Sequence, residues 1–301
     1  MTVYNAGSLN IDDVFRVPHI VKPGETIPSS SFERFAGGKG LNQSIALARA
    51  GIKVKHFGRI SEDGFFLKNV LEKENADASG IISGTIPTGH AIIQVSEDGE
   101  NSIVLFGGAN RSWNNKDVEK IISEIPEGGV LLLQNEINIT GQLIDAAGDA
   151  GINVVLNPAP MDNNVFKYSL KKLRWLIVNE IEGRELSGTE DTEDKTVLEK
   201  LVEMFPETTV VMTLGKRGAI RGDNSAGIIS AYFPAPYAVV DTTAAGDTFT
   251  GYFIAGELSG LEPEDSLRRA CAAGALAVTK AGAVSSIPYL KDVEELLRKE
   301  P

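Results

Sequence analysis

Short apolar runs alternate with amphipathic stretches along most of the chain. The runs at 3–6, 54–58, 130–134, 153–156, 175–178 and 210–213 are too short for helices and predict strands. Between and after them, apolar residues recurring at helical spacing predict helices over 40–50, 64–74, 140–150, 195–204, 246–258, 263–280 and 291–299, the last covering an edge of the sheet. Strands and helices in alternation build an α/β fold: a mainly parallel sheet with helices on both faces.

Two stretches break the alternation. Residues 12–35 and 89–106 read as strands without helices, and the second is a hairpin by its turn chemistry, with Glu97-Asp98-Gly99-Glu100 between apolar runs at 91–95 and 102–106. Strands that cannot join a parallel sheet form a small β layer of their own, and beside a pocket such a layer is a lid. Without linker, repeat or low-complexity segment, residues 1–301 read as a single domain with the lid segments, about 12–36 and 89–107, inserted in it.

The 301 residues, 42% of them hydrophobic and 23% charged, can bury a large core. No apolar run approaches the roughly 20 residues of a membrane span. The start Met1-Thr2-Val3-Tyr4-Asn5 lacks the basic segment of a secretory signal, so a cytoplasmic place is expected. The single cysteine, Cys271, excludes an internal disulfide and any multi-cysteine metal site; within Ala270-Cys271-Ala272-Ala273 it reads as the packed face of a helix. A net charge of −12 argues against nucleic acid or an anionic membrane as partner. It leaves a nucleotide open, because helix N-termini and a few cations can reverse the field locally.

One stretch concentrates chemistry: Asp241-Thr242-Thr243-Ala244-Ala245-Gly246-Asp247-Thr248-Phe249-Thr250-Gly251. Val239 and Val240 read as the end of a strand, and the 246–258 helix follows. Ala244, Ala245 and Gly246 leave the backbone uncovered, so their N–H groups can converge on a phosphoryl oxygen at the positive end of that helix. Asp247, in its first turn, can accept a proton from an attacking hydroxyl. A lone Gly-Asp would mark only a turn into a helix. A second motif lies upstream, Gly37-Gly38-Lys39-Gly40-Leu41-Asn42-Gln43, followed by an Ala-rich helix at 44–50. The two motifs, in this order, resemble the two signatures of the ribokinase-like sugar kinases, the PfkB family, and the resemblance runs from Gly7 to Pro288.

The resemblance implies a ribokinase-like fold, with the lid over a sugar and, in several members, serving as the contact of a homodimer. It implies ATP-dependent phosphorylation of D-ribose at the 5-hydroxyl, Asp247 as base and the 244–246 amides as anion hole. A related kinase for another sugar or a nucleoside, or a catalytically silent sugar-binding protein, are the alternatives. Asn10 and Asp12, after the first strand, match sugar contacts, as do Gly38, Lys39, Asn42 and Glu136. Asn157-Pro158-Ala159-Pro160 matches architecture near the site. On the nucleotide side, Asn179 would reach phosphate and Glu182 would hold Mg²⁺ through water. These two also read as a helix N-terminus with an acidic first turn. Thr213, Gly215, Gly218 and Gly246 would contact ATP, with Cys271 near the adenine where a polar residue is usual. Asp241 and the Thr243 carbonyl, with the carbonyls of Ala277, Lys280 and Gly282 and the Ser286 hydroxyl, match a K⁺ site. In the lid, His90 and Gln94 are more polar than the apolar side chains expected against a pentose.

Overall fold

A computed structural model describes residues 1–299; the last two residues of the expected 1–301 domain lie outside it. The chain opens with β1 (Thr2–Ala6), β2 (Asn10–Val17), β3 (Ser31–Gly37), α1 (Lys39–Arg49), β4 (Lys53–Ile60), α2 (Phe65–Lys73), β5 (Asp77–Ser83), β6 (Gly89–Ser96) and β7 (Asn101–Phe106). It continues through α3 (Asn115–Ser123), β8 (Val130–Gln134), α4 (Thr140–Asp149), β9 (Asn153–Asn157), β10 (Leu173–Asn179), α5 (Glu180–Ser187) and α6 (Asp194–Met204). The rest is β11 (Thr209–Thr213), β12 (Ala219–Asp223), β13 (Gly227–Ala231), α7 (Ala245–Leu258), α8 (Pro263–Ala277), α9 (Ala283–Ser286) and α10 (Leu290–Lys299).

Nine strands form the large sheet in the order β13-β12-β11-β10-β9-β8-β1-β4-β5. All its pairs are parallel except β11–β12 and β12–β13. A strand covered on both faces has no polar alternation, and β8, Val-Leu-Leu-Leu-Gln, is buried at every position. Its Leu132 joins a core with α1, α2, α7 and α8 on one face, while Leu131 and Leu133 join the other core with α3 to α6. The chain leaves β1 toward β4 on one side and returns to β8 on the other. That reversal opens a crevice at the carboxyl ends of β1 and β8, where open α/β sheets place ligands.

The small sheet runs β3-β2-β6-β7, with β2 and β6 parallel and the outer pairs antiparallel. Register sets its faces. Asp12 pairs with Phe35 and Ala91, and Ala91 with Leu105, so these share one face; Ile11, His90 and Phe106 share the other. Gln94, opposite Phe15 and Ser102, lies on the His90 face. The two polar residues at odds with a pentose lid therefore point away from Asp12. The His90 Nδ1–H donates to the Thr88 carbonyl at 2.8 Å, and Gln94 Oε1 accepts from the Val21 N–H at 3.0 Å.

Three other expectations are corrected. Val239 and Val240 are exposed and belong to no strand; the Val240 N–H donates to the Val278 carbonyl at 2.8 Å instead of a neighbouring strand. The helix expected over 263–280 stops at Ala277, where the Lys280 N–H turns back to its carbonyl at 3.1 Å. Helix α10 packs chiefly on α8, with Val293 in the same buried core as Leu267 and Ala270, rather than against the edge strands β5 or β13.

Candidate active site

The crevice floor is built by backbones that approach closely because side chains are missing. A Cβ on Gly40 would stand 2.4 Å from the Ser8 nitrogen, and one on Gly7 2.7 Å from the Gly40 Cα. Gly38, at φ +97, turns the chain from β3 into α1 in a conformation that strains any other residue. The tight crossing brings Ser8 into the center. Its hydroxyl accepts from the Gly40 N–H at 3.1 Å and donates to Glu136, whose Oε2 also takes the Lys39 N–H at 3.0 Å. Ser8 was not among the expected site residues; its place two residues past the end of the first strand was the available signal.

Asn10, buried at the start of β2, accepts at Oδ1 from Asn110 Nδ2 at 2.8 Å, and Asn110 itself takes the Leu9 N–H at 3.0 Å. These residues line a cavity of about 220 Å³ with Leu105, Gly107, Arg111 and Glu136. Asp12 stands over Gly37, where a Cβ would fall 2.0 Å from its Oδ2. No hydrogen-bond donor among the described residues reaches the Asp12 carboxylate. Burial, then the charges of Glu136 and Asp13, push its pKa up to about 7.

Asp247 lies across the crevice in the first turn of α7, 5% exposed. Helices α1 and α7 touch through Gly251, where a Cβ would be 2.4 Å from that of Ala46. The close approach lets two consecutive residues of α1 reach one carboxylate: Asn42 Nδ2 donates to Oδ2 at 3.0 Å and Gln43 Nε2 to Oδ1 at 2.9 Å. Half-buried Lys39 faces the same group. The Asp247 charge raises the lysine pKa, burial opposes this, and Glu136 and Glu182 reinforce it, so the ammonium stays charged.

Ala244 caps α7 at φ +60, a left-handed conformation rare for a residue with a Cβ. Of the expected anion hole, the Ala245 N–H turns toward the Thr242 carbonyl at 3.3 Å, and the Thr248 N–H bonds the Ala244 carbonyl at 2.8 Å. The N–H groups of Gly246 and Asp247 lie at the helix start without a backbone acceptor, where the helix dipole favours an anion. Outside its own helical turn, a Cβ on Gly246 would meet no protein atom within 4 Å.

On the nucleotide side, Asn179 and Glu182 form a capping box. Asn179 Oδ1 accepts from the Ile181 and Glu182 N–H groups at 2.9 and 2.8 Å, and Glu182 Oε2 takes the Asn179 N–H at 2.9 Å. This leaves the Asn179 amide nitrogen and one Glu182 carboxylate oxygen without a hydrogen bond among the described residues. Burial raises the Glu182 pKa, offset in part by the Asn179 N–H and Lys39. The Thr213 hydroxyl stands 3.4 Å from the Val178 carbonyl, and Gly215 and Gly218 turn the following loop at φ +55 and +91. Cys271 Sγ points at the Ala231 carbonyl, 3.5 Å away, and burial pushes the thiol up to about 12, so it packs and does not react.

The two segments expected to hold K⁺ meet at Asp241. Oδ1 accepts from the Thr243 N–H and hydroxyl at 2.9 and 2.6 Å, and Oδ2 from the Gly282 N–H at 2.9 Å. Burial works to raise its pKa, but these donors outweigh it and hold the carboxylate below its usual range. Among the described residues the carbonyls of Thr243 and Lys280 receive no backbone donor, whereas that of Ala277 takes the Lys280 N–H and the Ser286 hydroxyl donates to the Ala283 carbonyl at 2.8 Å. A fixed anion with bare carbonyls beside it fits a hard monovalent cation.

The model of the pfkB family of carbohydrate kinases matches residues 3–290. The chain is 37% identical to the ribokinase of Haemophilus influenzae, over 97% of this chain and 96% of that protein. The solved structure of Arabidopsis thaliana ribokinase complexed with ribose and ATP superposes with a TM-score of 0.87 at 31% identity, covering 98% of each chain. Ribokinase from Cryptococcus neoformans in complex with ADP gives 0.85 at 35% identity, over 98% of this chain and 99% of that one.

Proposed function

The chain belongs to the pfkB family of carbohydrate kinases, and from that premise we propose that it transfers the γ-phosphoryl group of ATP to the 5-hydroxyl of D-ribose, giving D-ribose 5-phosphate and ADP. The observation that carries the reading is the placement of Asp247: a buried carboxylate beside the open N-terminus of α7, whose charge acts on Lys39 together with that of Glu136, which in turn acts on Asp12. Asn10, Asp12, Gly38, Lys39, Asn42 and Glu136 hold the sugar, with Ala91 and Leu105 of the small sheet against its carbon face. Asp247 takes the proton of the 5-hydroxyl as that oxygen bonds to phosphorus and the bond to the β-phosphate oxygen breaks. The Gly246 and Asp247 N–H groups and the Lys39 ammonium receive the charge that develops on the moving phosphoryl. Asn179, Thr213, Gly215, Gly218 and Cys271 line the nucleotide side. Glu182 would hold Mg²⁺ through water, which would supply positive charge against the phosphates, and Asp241, with the carbonyls of Thr243, Ala277, Lys280 and Gly282 and the Ser286 hydroxyl, would hold K⁺, which would steady the 241–247 turn.

Residues 10–37 and 89–107 act as a lid on one catalytic domain. The small sheet bares Phe32, Ile92, Val104 and Phe106 on the face away from Asp12, which supports a homodimer through that sheet. ATP as donor and a lone buried thiol support a cytoplasmic place; no helix among the described residues is long and apolar enough to cross a membrane. The test is ADP release from ATP, Mg²⁺ and K⁺ with D-ribose, other pentoses, hexoses and nucleosides, with phosphorus NMR locating the new ester. No release with ribose above the water background, or a higher kcat/KM for a hexose or nucleoside, would overturn the substrate assignment.

A further inference from the structure

Behind Asp247 the amides form an ordered chain. Gln43 is fully buried, and its Nε2 donates both to Asp247 Oδ1 at 2.9 Å and to Asn157 Oδ1 at 3.0 Å. Its Oε1 accepts from Gln134 Nε2 at 2.7 Å, which also donates to Asn5 Oδ1 at 3.1 Å. Side-chain amides can flip, but this chain is anchored at two backbone carbonyls, which cannot. Asn157 Nδ2 donates to the Ile177 carbonyl at 2.9 Å and Asn5 Nδ2 to the Gly40 carbonyl at 2.8 Å. Each anchor fixes which end of its amide faces inward. A flipped Gln43 would set its oxygen against two oxygens and its nitrogen against another nitrogen. At the far end Asn5 also donates to the Ser44 hydroxyl at 2.8 Å, and that hydroxyl shares a hydrogen bond with His56 Nδ1 at 2.9 Å; burial pushes the His56 pKa down to about 3, so the ring is neutral.

We propose that Gln43 is the positioning residue of the base: anchored from the backbone through Asn157, Gln134 and Asn5, it holds Oδ1 of Asp247 and so presents Oδ2, on the Asn42 side, to the acceptor hydroxyl. Gln43 does not touch the reacting atoms, and the inference rests on Asp247 acting as the base. An unpaired Oδ1 lets the carboxylate turn, and misplacing a reacting group by about 1 Å costs on the order of 100-fold in rate.

The test is a double-mutant cycle read by steady-state kinetics. Gln43→Met should lower kcat by about 10- to 100-fold while ribose KM stays within about threefold of wild type. In the Asp247→Asn background the same substitution should change kcat by less than about twofold, since no base is left to position. An equal loss in both backgrounds, or unchanged kcat in the single variant, overturns the proposal while leaving Asp247 as base. An Asp247→Asn enzyme with undiminished kcat overturns the base and this inference together. Should Gln43→Met fail to fold, Gln43→Glu decides. Its carboxyl can donate to Asp247 only while protonated, so kcat relative to wild type should rise toward low pH, and a flat ratio counts against the role.

Discussion

The two ends of the crevice treat their carboxylates in opposite ways. Asp247 is almost sealed and accepts an amide hydrogen at each oxygen, from Asn42 and Gln43. Asp12 is partly buried, stands near Glu136 and Asp13, has no described donor, and its pKa is pushed up to about 7. At the transfer end the protein supplies the hydrogen bonds itself, so the geometry exists before any substrate binds. On the proposed reading, the hydrogen bonds at Asp12 are left for the sugar to provide, and the desolvation cost of that carboxylate would become a means of telling one sugar from another.

Removing the charge at the prepared end should give the largest effect. Asp247→Asn keeps the amide environment nearly isosteric but cannot take a proton, and kcat should fall at least ~10²-fold with ribose KM little changed. Near-wild-type kcat would erase the contrast between the two ends. Next in size, 2-deoxyribose should lose roughly 1–3 kcal/mol in kcat/KM against ribose, because a hydroxyl meant for Asp12 is missing. Asp12→Ala should weaken ribose turnover and narrow that gap; a gap of undiminished size would show that discrimination lies elsewhere.

The Asp241 turn supports the transfer end from behind, so its effect should be smaller. K⁺ should raise the rate where Na⁺ does so poorly, and Asp241→Ala should abolish the response; equal rates in K⁺ and a large organic cation would remove the ion from the account. The smallest effect is on stability. A carboxyl whose folded pKa lies near 7, above an unfolded value near 3.8, contributes stability that is present below the unfolded value and is lost as pH rises through 7. Asp12→Asn should therefore gain in Tm relative to wild type at pH 8 and gain little at pH 4. Ribose KM of the wild type should rise as pH falls below about 7, because the hydroxyls need an ionised acceptor.

The sequence carried most of the scaffold because its strands are short apolar blocks and its helices are periodic; β8 and α4 fall within a residue of expectation. Other elements escaped. Helix α3 was not among the expected helices, although Val118 and Ile121 recur at helical spacing behind the Asn114–Asp117 capping box, and β12–β13 is an edge hairpin whose Asp223 closes its turn by accepting from the Ser225 and Ala226 N–H groups at 2.8 and 2.6 Å. Val239 and Val240 look like a strand because apolar pairs usually seek a sheet, yet the turn into α7 leaves them outside it. In the site, Asp247, Asn42 and Glu136 could be named because their motifs are dense. Gln43, Gln134 and Ser8 could not be assigned roles, since their meaning lies in partners far along the chain: Gln43 meets Asp247 204 residues away. The faces of the small sheet, and with them the placement of His90 and Gln94 on the face away from Asp12, depend on register that no single strand displays.

Gly246 carries one more consequence. Its φ is ordinary, and a methyl there would touch no protein atom beyond its own helical turn. Alanine suits a helix better than glycine by ~1 kcal/mol, so the folded chain would be no worse for the exchange. On the proposed mechanism, what the methyl would occupy is the approach of the phosphoryl group to the start of α7. Folding and turnover are thus guarded by different tests at this one position. A lineage released from the need to transfer phosphate could become a silent sugar receptor in a single step, with nothing in its stability to record the loss.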